Sequence, residues 1–216
     1  NQLAIFDLRT LTTINLGHPL FDIAQEYNAA NGLPPIQEVS YIPFDPAIGK
    51  QVARAYDQLK AVNPDPAVKD AFDAMALEEE QMFNMVSKVI TIEPWTQEGQ
   101  PYKNSAEMRA DVFGKNHLWV FSGGEAHPYR TAEQTYRGRA VHDLFAHART
   151  GFEFGPNGEL NATRMHAQMY SENALPALIV DNIGQNAWVN FSDANEGLPQ
   201  DKRAFAEQKV DLLPRS

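Results

Sequence analysis

The chain has 216 residues, is 43% apolar, contains no cysteine and carries a formal charge of −10. This length and apolar share suffice for one compact core, and the missing thiols exclude disulfides, thiolate metal sites and a cysteine nucleophile. The acidic balance argues against a nucleic-acid groove, which needs clustered Lys and Arg; the nearest approach to such a cluster is Arg130, Arg137, Arg139 and Arg149.

In chain order, Leu20, Ile23, Ala24 and Tyr27 recur near the helical period and predict a helix over residues 18–30, stopped by the run from Gly32 to Pro35. Asp45-Pro46 and Asp65-Pro66 predict two further helix starts, because Asp accepts from orphan amides while Pro suits the first turn. Between residues 65 and 89, Val68, Phe72, Met75, Met82, Phe83 and Val86 form an apolar stripe, which makes this helix central to the core. Glu78-Glu79-Glu80 interrupts the stripe; it makes a solvated face, or it turns Glu78 or Glu79 toward a metal or its surroundings. Residues 90–94 and 117–122 read as short strands able to pair, with a short helix over 105–112 between them. Helices are expected over 131–149, 159–170, 171–188 and 200–212.

The expected fold is therefore mainly α: a single compact multi-helix domain over 1–216 with a small two-stranded β element. Residues 1–113 form a helical scaffold, and the candidate metal-site helices lie within 131–190. No run of 18 apolar residues is present and the first residues lack a basic-then-apolar pattern, so a soluble protein is expected. A start at Asn1 rather than Met fits a processed product, a numbering reset or a piece of a longer polypeptide.

Chemistry is concentrated between residues 142 and 166, where His142, His147 and His166 fall close to Asp143 and Glu159. Imidazole and carboxylate are the ligands that Fe(II) or Zn(II) needs once thiolate is excluded. On a regular α-helix, positions 142 and 147 point about 140° apart, whereas 143 and 147 share a face. Two histidines at this spacing reach one ion only if the helix widens into a π-turn or breaks. The glycine-rich turn over 151–158 brings the next helix back and delivers Glu159 as the favoured third ligand, unless Glu159 only complements a helix N-terminus. His166 lies about 10.5 Å further along that helix axis, as a group beside the metal, a substrate contact or a ligand in another arrangement. Asp181 is the rival third ligand, and Asp143 is a candidate orienting group or general base. The Gln185-Asn186 pair in an otherwise apolar run suggests a specific hydrogen-bonding role or a helix end. His18, His117 and His127 read as surface or capping residues. No P-loop, dinucleotide fingerprint or nucleophile elbow is present.

The string His142-Asp143-Leu144-Phe145-Ala146-His147 resembles the iron-binding segment of aromatic amino acid hydroxylases, in which two histidines at this spacing and a later glutamate hold a mononuclear non-haem iron. That resemblance covers about seven residues. A broader one is to a family of bacteriophage and prophage proteins with a pattern like His-Asp-x-Phe-Gly-His, Gly-Glu-x-Asn-Ala, His-x-x-Met-Tyr-Ser and Gly-Gln-Asn. Here these correspond to His142 to His147, Gly158 to Ala162, His166 to Ser171 and Gly184 to Asn186. Two departures stand out: Ala146 replaces the glycine, and Asp181, one methylene shorter, sits where that pattern has glutamate.

The expected function is that of a phage-type metal-binding protein holding one Fe(II) or Zn(II), in its active version an enzyme on a small molecule, with His142, His147 and either Glu159 or Asp181 as ligands. Asp143 and His166 are the candidate catalytic groups. The rival is a virion structural or interaction protein, partnered by other phage proteins, in which the same residues hold a structural ion or none. Its expected place is the host cytoplasm or the virion, without membrane or nucleic-acid partners.

Overall fold

The computed structural model describes residues 4–7, 12–15, 17–124 and 126–214. Strands β1 (Ala4–Asp7) and β2 (Thr12–Asn15) pair antiparallel, an addition to the single two-stranded element read from the sequence. Helix α1 (Pro19–Ala30) begins where its pattern predicts, with the His18 ring accepting from the Leu20 N–H. Both Asp-Pro pairs act as expected: Asp45 opens α2 (Pro46–Asp57) by accepting from Ala47 and Ile48, and Asp65 opens α3 (Pro66–Val86) by accepting from Ala67. Each proline sits where a backbone N–H would have no helical partner.

Helix α3 is the central element. It buries Val68, Phe72, Met75, Met82 and Val86 and packs against α1, α5 (Ala132–His142) and α7 (Leu175–Leu178). Phe72 is fully buried in the main hydrophobic cluster, where truncation to alanine costs about 3–5 kcal/mol. The stripe therefore supplies much of the contact that holds the site-bearing helices in place.

Strands β3 (Thr91–Trp95) and β4 (His117–Phe121) pair in parallel, Thr91 opposite His117, and α4 (Ser105–Lys115) makes the crossover between them. Pro94 is tolerated because β3 is an edge strand and needs no donor on its free side. Asn116 ends α4 in the left-handed region at φ 53° and leads directly into β4.

Helix α5 opens with a capping box, the Thr131 hydroxyl accepting from the Gln134 N–H while the Gln134 side chain accepts from the Thr131 N–H. It does not continue as a regular helix to Arg149; residues Asp143–Ala148 form a π-helical turn, with the Arg149 N–H bonded to the Leu144 carbonyl five residues back. After the turn at Gly151, α6 (Pro156–His166) returns beside it. Helix α7 leads through a second π-helical segment, Ile179–Gly184, into α8 (Gln185–Phe191). Helices α2 and α8 pack at close range because Gly49 has no side chain: a Cβ there would lie 2.4 Å from the Phe191 ring.

The helix expected over 200–212 is corrected by the structure. Only Gln200–Lys202 forms a helical turn, and the chain then runs extended. Its backbone groups are taken by partners outside any helical repeat: Val210 bridges Val62, the Glu207 carbonyl accepts from Tyr56 Oη, and the nearer Asn195 brackets Ala204. These bonds replace the i to i−4 ladder. Among the described residues, no helix is long and apolar enough to cross a membrane.

Candidate metal centre

The π-turn brings together the two histidines that a regular helix would separate. His142 ends α5, His147 lies within the turn, and their Nε2 atoms are 3.2 Å apart. Glu159, in the first turn of α6, reaches both: Oε2 is 3.3 Å from His142 Nε2 and Oε1 is 3.1 Å from His147 Nε2. Ligand atoms about 2.0–2.1 Å from an ion lie about 2.8–3.4 Å from one another at cis or tetrahedral angles, and the two histidines, and each histidine with its nearer Glu159 oxygen, are spaced within that range. His142, His147 and Glu159 form a group that can hold a metal.

The surrounding bonds orient these ligands. His147 is buried, and its Nδ1–H donates to the Phe152 carbonyl at 2.8 Å, which leaves Nε2 facing Glu159. The backbone of the turn after the π-segment thus fixes the ring. His142 Nδ1 lies 3.0 Å from the Asn182 side-chain amide, in the second π-segment. Burial works against a charge on His147, yet Glu159 and the Phe152 carbonyl outweigh it and raise its pKa to about 9. Burial works the other way on Glu159, where His147 and His142 prevail and hold the carboxyl well below the usual carboxylate range. Without an ion, His147 and Glu159 therefore form an imidazolium-carboxylate pair.

Asp143, on the same turn, is pushed up to about 6 by burial against the opposing pull of His142 and His147. It borders a cavity of about 620 Å³ whose lining also includes His142 and Glu159. His166 is elsewhere. It is 1% exposed, its ring packs 5.7 Å from that of His142 and 4.9 Å from that of Tyr170, and it does not line the cavity. Burial, then the neighbouring His142 and His147, hold its pKa well below the ordinary histidine value. It therefore stands as a neutral ring behind the ligands.

Asp181 is not brought into the three-residue group; it lies 3.5 Å from Arg130, and both line the same cavity. Arg130 also pairs with Glu79, from the acidic run of α3. Burial, with Asp181 adding to it, pushes Glu79 up to about 7, and burial pushes Asp181 to about 6, Arg130 opposing in both cases. The other two members of the run have ordinary partners: Glu78 accepts from Ser171, and Glu80 pairs with Arg137. Gly138 makes the Glu79–Arg130 approach feasible, since a Cβ there would lie 2.6 Å from Glu79 Oε2.

The sequence reading missed the pairing of Glu79 with Arg130, residues 51 apart, for which only the placement of Glu79 in an apolar stripe gave a signal. The Gln185-Asn186 pair, read as hydrogen-bonding groups or a helix end, donates to Gln208 and to the Pro156 carbonyl, whereas Asn182, which bonds His142, was not singled out from the sequence. His18 caps α1, His117 bonds Asp111 and Glu93, and His127 Nδ1 accepts from the Tyr129 and Arg130 N–H groups. The arginines do not make one basic face: Arg130 is buried, Arg137 is taken by Glu80 and Glu133, and Arg139 donates to the carbonyls of Phe121 and Gly123. No protein-family model, no curated protein and no solved structure matches the chain.

Proposed function

We propose that this protein is a metal-dependent enzyme whose single Fe(II) or Zn(II) is held by His142, His147 and Glu159. The observation that carries this reading is the position of the group: its three side chains approach one another at 3.1–3.3 Å, the two histidines through different oxygens of Glu159, and two of its residues, His142 and Glu159, line a cavity large enough for a small molecule. Three protein ligands leave positions for water, oxygen or substrate on the cavity side. Such an ion supplies either Lewis-acid and water activation or oxygen chemistry, according to its identity.

The residues around it have separable tasks. His147 and the Phe152 carbonyl set the ligand geometry from within the core. Asp143, raised to about 6 and bordering the cavity, is suited to take up or return a proton near neutral pH. His166 shapes the back of the site through ring contacts with His142 and Phe145. A closed structural ion in a virion protein would not need ligands that border a cavity, which is why the enzymatic reading is preferred. The phage-type assignment, with action in the host cytoplasm or the virion, rests on the motif pattern from His142 to Asn186.

The experiment is elemental mass spectrometry of the purified protein and of the His142→Ala/His147→Ala double variant. Near one equivalent of iron or zinc, lost in the variant, is the expected result and names the metal. An equal metal content in both proteins, or none in the wild type after reconstitution, would remove the basis of the proposal.

A further inference from the structure

One wall of the cavity is lined by residues that carry unpartnered polar atoms. Arg130 Nε, Thr135 Oγ1, Asp181 Oδ1 and His127 Nε2 are all buried without a hydrogen-bond partner, and all four residues line the cavity that His142 and Glu159 border. A buried donor or acceptor left unmade keeps the full cost of its lost hydration, and a cluster of them beside one cavity points to a ligand.

The four are linked through Arg130. His127 Nδ1 accepts from the Arg130 N–H at 2.9 Å, Asp181 Oδ2 lies 3.5 Å from Arg130 Nη1, and Arg130 Nη2 donates to the carbonyl of Gln134, next to Thr135. The guanidinium side chain is 6% exposed, so its geometry is set by the fold. The wall also adjoins the metal group, because Asn182, next to Asp181, bonds His142.

The hydrogen-bond sense of each atom can be read. His127 Nδ1 receives two backbone N–H groups, so its neutral ring carries the proton on Nε2, and burial first and Arg130 second keep the ring neutral, with a pKa of about 4. Nε2–H and Arg130 Nε–H are donors, Asp181 Oδ1 is an acceptor, and the Thr135 hydroxyl is either. A ligand that satisfies them must present an acceptor and a donor side by side. Charge narrows the choice further. A full negative charge would face Glu79 and Asp181, and a full positive charge would face Arg130 and the ion. A dipole meets neither penalty.

We infer that the cavity recognises an uncharged amide-like group, a carbonyl oxygen flanked by N–H as in a carboxamide, a urea or a nucleobase edge, seated on His127, Arg130, Thr135 and Asp181 beside the metal centre. This inference rests on reading the cavity as the substrate site, and it makes the substrate a neutral polar molecule of amide type.

The test uses three probes of one shape: benzamide, benzoate and benzamidine, which present an amide, an anion and a cation. Each is titrated into the full-length protein, metal-free and zinc-loaded, by calorimetry or by amide chemical shifts. In the metal-free protein benzamide should bind at least about tenfold more tightly than either charged analogue, the equivalent of about one well-made buried hydrogen bond. Asp181→Ala and Thr135→Val should each weaken benzamide several-fold, and Thr135→Val, which preserves shape, should leave the melting temperature unchanged. Benzoate or benzamidine equalling benzamide, benzamide affinity indifferent to both substitutions, or no saturable benzamide binding overturns the inference. A retained benzamide preference in a protein that takes up no zinc counts against the metal centre alone.

Discussion

His142 and His147 are five residues apart, yet their Nε2 atoms stand 3.2 Å from each other. The single π-turn Asp143–Ala148 accounts for this: with an i to i−5 repeat, positions five apart align on one face, as positions four apart do on an α-helix. A π-turn gives up regular hydrogen-bond geometry, and it persists here with Leu144, Phe145, Ala146 and Ala148 fully buried around it. Core packing thus holds an irregular backbone in the register that the ligand group needs.

Loss of either histidine should therefore remove the ion and the stability linked to it. His142→Ala and His147→Ala are each expected to lower bound metal from about one equivalent to near none. Each should also abolish the rise in melting temperature on adding zinc, which at one hundred times the dissociation constant corresponds to about 2.7 kcal/mol. Elemental analysis and thermal melts check this together. Zinc-induced stabilisation of wild-type size in both variants would place the ion elsewhere.

The pH dependence of that stabilisation has a defined sign. In the metal-free protein His147 is raised from 6.5 to about 9, so its pairing with Glu159 stabilises fully below pH 6.5 and is lost as pH rises through about 9. Glu159 is lowered, so its contribution is present above the ordinary carboxylate range and is lost as pH falls. An ion on Nε2 must displace the His147 proton. Metal affinity should increase with pH, by about tenfold per unit for one displaced proton. Melts at fixed, chelator-buffered free zinc between about pH 6.5 and 8.5 should show a growing stabilisation. A flat or falling trend would show that His147 does not give up a proton to the ion.

Gly138 tests the second cluster. A methyl at this position would lie 2.6 Å from Glu79 Oε2 and 2.7 Å from Arg130 Nη2. Gly138→Ala in the interior of α5 should gain up to about 1 kcal/mol of helix propensity, yet overpacking against a buried ion pair costs about 1–3 kcal/mol. A net loss of stability in urea unfolding is expected, with metal content retained because the His142 group is separate. A stabilised Gly138→Ala protein would mean that the pair moves aside without cost.

What was legible in the sequence was local. The Asp-Pro starts of α2 and α3 follow from capping bonds made within three residues, and the need for a π-turn or a break, if both histidines are to reach one ion, follows from the 142–147 spacing. What was illegible depends on partners far along the chain. Glu79 leaves the solvated face because Arg130 waits 51 residues away, and Asp181 lies on that same guanidinium rather than in the ligand group. The segment after Lys202 has helical composition, but Val62 and Tyr56, about 150 residues earlier, claim its backbone.

Asn182 is the remaining point at which the site can be tuned. In the structure its Nδ2 stands 3.0 Å from His142 Nδ1, the sense in which Nδ1 accepts and Nε2 carries the proton toward Glu159. An ion on Nε2 reverses this: Nδ1 must then hold the proton, and the amide must turn its oxygen toward the ring. Asn182→Leu should therefore weaken zinc by about 10–100-fold, the usual effect of removing a bond that orients a metal-ligating histidine. Asn182→Asp, which offers only acceptor oxygens, should match or exceed wild-type affinity. Chelator competition with the three proteins orders them, and Asn182→Leu binding as tightly as wild type would mean that His142 does not bind the ion through Nε2.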